Sequence, residues 1–321
     1  MISEATRESR RVQCQFLVIL SPGRSFSTVL SAMLGLHPDI VALPETCLFA
    51  RDTMHDYIDG LGYGLFEAGL IHAVARLYFA DAPQSRTLAR GWIRDRRGLT
   101  TRVVLDELVA RANRRIVVEK TPIITTKLEH MRRVESWLGE SVRYLHLVRH
   151  PHTFGVSLIE TASAMLRQAT PEVAGRWFRD EESIFSSLRA PGTDELDPER
   201  PWVARNARIE SFLECIPDRR WIRMRGEDVI ANPAAALIHL CAWLGAPVGP
   251  AALDAMLHTE NWEFASGPPG AAGGDRKFFA DPALREVSAW PGSATSAVPW
   301  ATDGRRLGNE AMEMAQRYGY V

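Results

Sequence analysis

Apolar residues are concentrated in five short segments that predict β-strands. These segments are residues 16–20, 40–43, 115–119, 142–148 and 221–224. The first of them, FLVIL, is a continuous apolar run, which is typical of a strand buried on both faces of a parallel sheet. It ends at Ser21-Pro22-Gly23, residues that favour a turn. The pattern therefore predicts a sheet of short strands whose first member is fully buried.

The stretches between these segments have helical patterns. One helix is predicted to begin within residues 25–28 and to end before Pro38, because proline cannot continue it. Another is predicted over residues 233–244, and residues 50–115 are mainly helical. Strands that alternate with helices indicate an α/β fold with a doubly wound parallel sheet. Because no internal repeat or low-complexity linker divides the chain, we expect residues 1–321 to form a single domain.

Composition and charge exclude several classes of protein. The 38 basic and 39 acidic residues leave a net charge of −1, so no overall charge favours a nucleic acid or an anionic membrane. Any anion site must be local. The four cysteines are scattered, which favours neither a disulfide framework nor a zinc site. The apolar run after the charged N-terminus is too short for a signal peptide or a membrane span, and we expect a cytoplasmic protein.

The first candidate for chemistry is the sequence SPGRSFST, residues 21–28, between a predicted strand and a predicted helix. Backbone N–H groups of such a turn, together with the positive end of the helix dipole, can cradle a phosphate or sulfate. The segment is not a Walker A loop, because it lacks a glycine-lysine pair and Arg24 is its only cation. An ordinary serine-rich helix cap is the alternative. The candidate anion-binding residues are Gly23, Arg24, Ser25, Phe26, Ser27 and Thr28.

The second candidate begins at Arg149, which follows the predicted strand 142–148. Open α/β sheets bind ligands at the carboxyl ends of their strands. Ser157 comes about two helical turns later, so the two side chains could hold one phosphate. A strand-to-turn junction with a surface arginine is the alternative.

These two motifs, in this order and about 120 residues apart, resemble the sulfotransferase family that uses 3′-phosphoadenosine 5′-phosphosulfate (PAPS). The resemblance covers roughly residues 14–290 and includes a late strand-to-helix segment, residues 227–245. Residues 274–278, GDRKF, are similar to the loop that closes over the nucleotide in that family. The resemblance implies a P-loop-like central sheet, with the 5′-phosphosulfate at the first motif. It implies the 3′-phosphate at Arg149, Ser157, Arg276 and Lys277.

Two residues relate the chain to particular branches of that family. Phe26 replaces the usual glycine, which puts the shape of the loop in question. Arg24 stands where the cytosolic small-molecule branch has lysine. In this respect the chain resembles the bacterial, polyketide-associated and tyrosylprotein-like branches. That likeness implies Glu45 as the general base and Lys120 as the contact to the leaving oxygen. Arg24 would hold the 5′-phosphate and sulfonate. The histidines that compete with Glu45 as bases are His37, His146, His150 and His152.

The resemblance implies an O-sulfotransferase that transfers sulfuryl from PAPS to a hydroxyl and releases adenosine 3′,5′-bisphosphate (PAP). Such transfer needs no metal in principle, and positioning and cations do most of the work. We expect a small-molecule or carrier-protein-tethered acceptor from bacterial specialised metabolism. The walls of the acceptor site are predicted within residues 50–115 and 161–201, with Trp177, Phe178 and Phe185 as apolar lining. A P-loop kinase or hydrolase and a non-catalytic nucleotide-binding module are the alternatives. The acceptor's identity, the oligomeric state and the adenine-stacking residues stay open.

Overall fold

The structure is a computed structural model that describes residues 15–60, 67–114, 116–181, 183, 185–189, 195–265, 275–285 and 292–321. Within these residues, five parallel strands form one sheet in the order β2-β3-β1-β4-β5. The strands are β1 (Phe16–Leu20), β2 (Ile40–Ala42), β3 (Ile116–Glu119), β4 (Val142–Val148) and β5 (Trp221–Arg225). The predicted α/β fold with a parallel sheet is confirmed.

Helices surround this sheet. In the described part of the chain they are α1 (Ser27–Gly35), α2 (Met54–Gly60), α3 (Glu67–Phe79), α4 (Ser85–Asp95), α5 (Thr101–Ala112), α6 (Leu128–Leu138), α7 (Pro151–Leu166), α8 (Pro171–Arg179), α9 (Glu199–Leu213), α10 (Gly226–Ala231), α11 (Pro233–Leu244), α12 (Pro250–Leu257), α13 (Arg276–Ala280) and α14 (Asn309–Arg317). Short 3₁₀ turns join several of them.

The central strand β1 explains the arrangement of the sheet. Its Phe16 pairs with Val117 of β3 on one side and with Val142 of β4 on the other. All five of its residues are buried. A strand with neighbours on both edges and helices on both faces has no exposed position, so a continuous apolar run is the sequence that fits it. The parallel pairing brings the carboxyl ends of β1, β3 and β4 to one edge of the sheet, where the chain then turns.

The element boundaries follow the sequence closely. Strands β1 and β4 and helix α11 have the predicted limits, β2 is one residue shorter, and β5 is one residue longer. Arg115, predicted to begin β3, lies outside the described residues. The predicted helical region 50–115 contains α2, α3, α4 and α5. The glycine-rich stretch 266–274 also lies outside the described residues, and α13 follows it.

Two hydrophobic clusters support the edge where the strands end. The larger cluster covers both faces of the sheet. The smaller one lies between α7, α9 and the C-terminal helix α14, and Trp202 is its largest fully buried side chain. Trp202 donates its indole N–H to the carbonyl of Arg149 at 2.9 Å, so this cluster fixes the chain just after β4. Within the described residues, no helix has the length and apolar character needed to cross a membrane.

Candidate active site

A cavity of about 900 Å³ lies where β1, β3 and β4 end. Its wall is formed by the turn at residues 22–29, by Glu45, by residues 121–123 and by Arg149. One side of α7 and the first residues of α13 add to it, and the other lining residues are Cys47, Trp177, Ser183, Phe185, Asp275, Ser296, Ala297 and Pro299. Open α/β sheets bind ligands at this edge, and the cavity has the size of a cofactor or small-molecule site.

The turn between β1 and α1 has an unusual backbone. Gly23, Arg24 and Phe26 have φ angles of 82°, 53° and 63°, in the left-handed region that favours glycine. Side chains from elsewhere hold this turn. Arg149 donates a hydrogen bond to the carbonyl of Arg24, and the buried Arg205 donates to the carbonyl of Pro22 at 2.9 Å. Such support lets the turn keep strained angles at two residues that are not glycine.

Phe26 stands where the sequence comparison above expects a glycine, yet its φ angle of 63° lies in the left-handed region that glycine adopts. Its ring lies 4.4 Å from the guanidinium carbon of Arg149, a cation–π contact. On another side the ring packs against Gly226, where an added Cβ would lie 2.6 Å from a ring carbon. These contacts stabilise the conformation that a glycine would adopt at lower cost.

Arg24, Arg149 and Ser157 form a group that we call the arginine cluster. Nε of Arg24 donates to Oγ of Ser157 at 3.1 Å. Burial lowers the pKa of Arg149 to about 10, which still leaves the side chain charged at neutral pH. Arg24 also lies 3.2 Å from a carboxylate oxygen of Asp275. The two motifs that were predicted separately from the sequence therefore meet in one cationic group.

Thr28, Glu45 and Lys120 form a second group, which we call the lysine cluster. Nζ of Lys120 lies 2.7 Å from Oε1 of Glu45 and 3.1 Å from Oγ1 of Thr28. The Lys120 side chain is fully buried, whereas a quarter of the Glu45 side chain is exposed. The three residues come from α1, from the chain after β2 and from the chain after β3. The sheet order makes β2 and β3 neighbours, so the residues after them meet at the same edge.

Helix α3 fixes the backbone of Glu45 from outside. A Cβ added at Gly69 would lie 1.9 Å from the carbonyl oxygen of Glu45, far closer than atoms can approach. The missing side chain at Gly69 is what lets α3 pack against Glu45.

Comparison with known proteins identifies the family. A model of the sulfotransferase family matches residues 17–250, which is more than half of the chain. This chain belongs to the sulfotransferase family. No curated protein matches it in sequence.

Solved structures with the same fold include three bacterial sulfotransferases. The sulfotransferase domain from the curacin biosynthetic pathway has a TM-score of 0.72 and 22% identity, over 97% of this chain and 99% of that domain. The domain from the Synechococcus PCC 7002 olefin synthase has a TM-score of 0.66 and 20% identity, over 96% and 95% of the two chains. The sulfotransferase STF9 from Mycobacterium avium gives 0.51 and 12%, over 96% and 78%. At these identities the likeness establishes the fold.

Most of the residues predicted from the sequence line the cavity of this sulfotransferase. They are Gly23, Arg24, Ser25, Phe26, Ser27, Thr28, Glu45, Arg149, Ser157, Arg276 and Lys277. Lys120 lies behind Glu45 and Thr28 and contacts both. The ammonium of Lys277 forms an exposed ion pair with Glu160 at 2.6 Å. Gly274, named with the closing loop, lies outside the described residues.

The four histidines that compete with Glu45 are not equivalent. His37 is buried at the end of α1, where its Nδ1 accepts a hydrogen bond from the N–H of Asp39. His146 is buried inside β4. His150 caps α7 through its Nδ1. Of the four, His152 alone belongs to the cavity wall, and its buried Nε2 has no hydrogen-bond partner within the part of the chain that the structure describes.

Burial determines the protonation of three of these histidines. It lowers the pKa of His146 to about 3 and that of His150 to about 4, and it also lowers the pKa of His152. All three are therefore neutral at pH 7. Nε of Arg223 can only donate, so it donates to Nδ1 of His146. The Nε2–H of His146 then donates to the amide oxygen of Asn206, a structural role.

Several residues that shape the site were given no role from the sequence. Asp275 contacts Arg24 and donates its N–H to the Thr28 hydroxyl at 3.2 Å. Arg205 reaches the turn after β1 from α9, and no local pattern marks it. Glu119 is a buried carboxylate next to Lys120. Its signal was present, because a charged residue at the end of an apolar strand needs partners.

Proposed function

We propose that this sulfotransferase transfers a sulfuryl group from PAPS to a hydroxyl of a small-molecule or carrier-tethered biosynthetic acceptor and releases PAP. The observation that carries the proposal is that one cavity adjoins both the arginine cluster and the lysine cluster, and that the lysine cluster includes a carboxylate. A donor with anionic groups at both ends requires two cationic groups. An acceptor hydroxyl requires a base. Membership of the family supports the same reaction class.

The residues around the cavity fit such a donor. Gly23 has a φ of +82°, so a residue with a side chain would strain the turn at this position. The first turn of α1 lines the cavity and adds the positive end of a helix dipole. We assign the 5′ end of PAPS to this turn and to Lys120. We assign the 3′-phosphate to Arg149 and Ser157.

Arg24 belongs to both assignments. Its backbone is part of the turn, and its guanidinium contacts Ser157. A planar guanidinium with several N–H donors can bind two anionic groups at once. We therefore propose that Arg24 binds between the two ends of the donor. Arg276 and Lys277, at the start of α13, line the same cavity and would add positive charge at the 3′ end.

The lysine cluster supplies the acid–base chemistry in this proposal. When bound, PAPS supplies the sulfuryl group and PAP is its leaving group. Glu45 reaches the cavity and takes the proton of the acceptor hydroxyl. Once Glu45 is protonated, it no longer neutralises Lys120. The ammonium of Lys120 is then available to stabilise negative charge on the leaving oxygen.

His152 is the second candidate for the base. It lines the cavity, and burial keeps its imidazole neutral, so it can accept a proton. Its position is less suitable, because it precedes Thr153, a residue that binds Arg149 in the arginine cluster. Glu45 instead contacts the lysine cluster, where the 5′ end is assigned. We therefore assign the base to Glu45 and expect His152→Gln to keep most of the activity.

The part of the cavity beyond these clusters suits an acceptor with an apolar portion. Ile123, Met165, Trp177 and Phe185 line it, of which Trp177 and Phe185 were predicted from the sequence. Phe178 is not among the described residues of the wall and packs in the smaller hydrophobic cluster. Two solved structures of the same fold are named as domains of the curacin pathway and of an olefin synthase. These names support a hydroxylated biosynthetic intermediate as the acceptor.

Two assays test the proposed function. Calorimetric titration compares PAP with ATP plus Mg²⁺, and we expect binding of PAP alone. Mass spectrometry then screens a panel of hydroxylated acceptors, free and carrier-tethered, for products that gain one SO₃ from PAPS. Binding of ATP instead of PAP would contradict the donor assignment. Binding of PAP without transfer to any acceptor would favour the non-catalytic module.

A further inference from the structure

A buried carboxylate connects the two chain segments that carry Glu45 and Lys120. It belongs to Glu119, the last residue of β3, of whose surface only 1% is exposed. Burial raises its pKa. A carboxylate at this depth is unfavourable unless hydrogen-bond donors surround it.

The donors to Glu119 come from two particular residues. The hydroxyl of Thr46 donates to Oε2 at 3.1 Å. The N–H of Thr121 donates to Oε1 at 2.8 Å, and the Thr121 hydroxyl binds the same oxygen. Thr46 directly follows Glu45, and Thr121 directly follows Lys120. One oxygen of the carboxylate therefore holds the Glu45 segment, and the other holds the Lys120 segment.

These bonds act where the sheet no longer aligns the two segments. Strands β2 and β3 pair as far as Ala42 with Val118, and the N–H of Leu43 then donates to the carbonyl of Val118. Beyond this bond, the hydrogen bonds to Glu119 link the segment after β2 to the segment after β3. The N–H of Cys47 adds a longer contact of 3.4 Å to the Thr121 hydroxyl.

We propose that Glu119 is a positioning residue that holds the carboxylate of Glu45 and the ammonium of Lys120 in the geometry used for transfer. The inference rests on the proposed function, which gives that pair its roles. The described residues that line the cavity do not include Glu119, so it acts through its neighbours. A misplacement of about 1 Å at a reacting pair can lower a rate about 100-fold.

Four variants test this role. Thr46→Val removes one hydroxyl that binds Glu119, and Thr46→Ser keeps it. Glu119→Gln keeps the shape but loses the charge that both segments bind. Thr101→Val is the matched control, because Thr101 is also buried and its hydroxyl donates to the carbonyl of Arg51 at 2.6 Å, outside the cavity wall.

We expect Thr46→Val and Glu119→Gln to lower kcat about 10- to 100-fold, with KM for PAPS and Kd for PAP within about threefold of the unmodified chain. Thr46→Ser should restore most of kcat. Thr101→Val should lower the melting temperature without changing kcat. Unchanged kcat in both Thr46→Val and Glu119→Gln would overturn the positioning role, and so would an equal fall of kcat in Thr101→Val.

Crystal structures of the same variants give a readout that does not depend on the reaction. We expect the 2.7 Å contact between Glu45 and Lys120 to lengthen beyond hydrogen-bond distance in Thr46→Val and to persist in Thr101→Val. An intact contact in both Thr46→Val and Glu119→Gln would overturn the proposal. If the unmodified chain transfers sulfuryl to no acceptor, the proposed function fails. The crystal structures alone then decide whether Glu119 holds the pair.

Discussion

Nε of Arg24 donates a hydrogen bond to Oγ of Ser157 at 3.1 Å, across 133 residues of sequence. Arg24 belongs to the turn after β1, and Ser157 belongs to α7, the helix that follows β4. Because β1 and β4 are neighbours in the sheet, the segments that leave their carboxyl ends meet. The bond joins two candidate anion sites into one.

Arg149 tests the arginine cluster. It donates to the carbonyl of Arg24 and to the Thr153 hydroxyl, and it stacks on Phe26. Lysine keeps the charge but cannot make these contacts together. We expect Arg149→Lys to weaken PAP binding about 10- to 100-fold, the scale of one or two hydrogen bonds to a charged group. Calorimetric titration measures this loss of affinity.

Arg219→Lys, at an exposed ion pair with Glu140, is the control and should bind PAP normally. An equal affinity in Arg149→Lys would remove Arg149 from the phosphate site.

Asp275 places a negative charge in the same cluster. Its carboxylate lies 3.2 Å from Arg24, a residue of the proposed phosphate site. Asn at this position keeps the oxygen that accepts the N–H of Lys277 and removes the charge. We expect Asp275→Asn to tighten PAP binding about three- to tenfold at low salt, because repulsion between two anions is lost, and less at high salt. Titration at two ionic strengths measures the effect. Weaker binding in the variant would mean that Asp275 supports the ligand instead of competing with it.

Gly69 tests how the backbone of Glu45 is held. An added methyl group would lie 1.9 Å from the Glu45 carbonyl, so α3 or Glu45 must move. We expect Gly69→Ala to lower the free energy of unfolding by about 1–3 kcal/mol, as overpacking does, and to lower the transfer rate. Gly91→Ala is the control, because nothing lies within 4 Å of its added methyl group in α4. That variant should be more stable by up to about 1 kcal/mol. Urea unfolding measures both, and equal stability of the two variants would contradict this packing.

The lowered pKa of His146 makes the stability of the protein depend on pH. Its pKa is about 3 in the folded protein and close to the ordinary 6.5 when unfolded. Between these values the unfolded chain binds a proton that the folded chain does not, so the free energy of unfolding falls as the pH is lowered from 6.5. This group contributes up to about 1.4 kcal/mol per pH unit. His146→Gln should therefore show a shallower decline between pH 6 and pH 4, measured by urea unfolding. An unchanged slope would mean that His146 is already protonated in the folded state.

The sequence specified the elements better than the contacts between them. The continuous apolar run located β1, the largely apolar segment 142–148 located β4, and Pro233 with apolar positions on one helix face located α11, because these patterns can be seen within one short segment. The sequence also placed Glu45 and Lys120 at one edge, since parallel strands end together. The pairing of these two side chains was not predictable, because it depends on the strand order. The reach of Arg205 to Pro22, 183 residues away, depends on tertiary packing alone.

Phe26 shows a different limit of sequence reasoning. Its replacement of glycine put the shape of the turn in question, because a bulky residue with positive φ is disfavoured locally. The contacts with Arg149 and Gly226 offset that local preference. Such compensation comes from residues distant in sequence, which a local pattern does not reveal.

We propose that Glu45 removes the acceptor's proton in a cavity that binds the donor without contacts from Glu45. The most direct test measures sulfuryl transfer from PAPS and PAP affinity in Glu45→Gln, which keeps the size of the side chain and removes its basicity. We expect a transfer rate at least about 100-fold lower than that of the unmodified chain, the usual contribution of a general base. PAP affinity should remain within about threefold, since Glu45 is assigned no donor contact. If Glu45→Gln turns over the acceptor at the unmodified rate, Glu45 is not the general base.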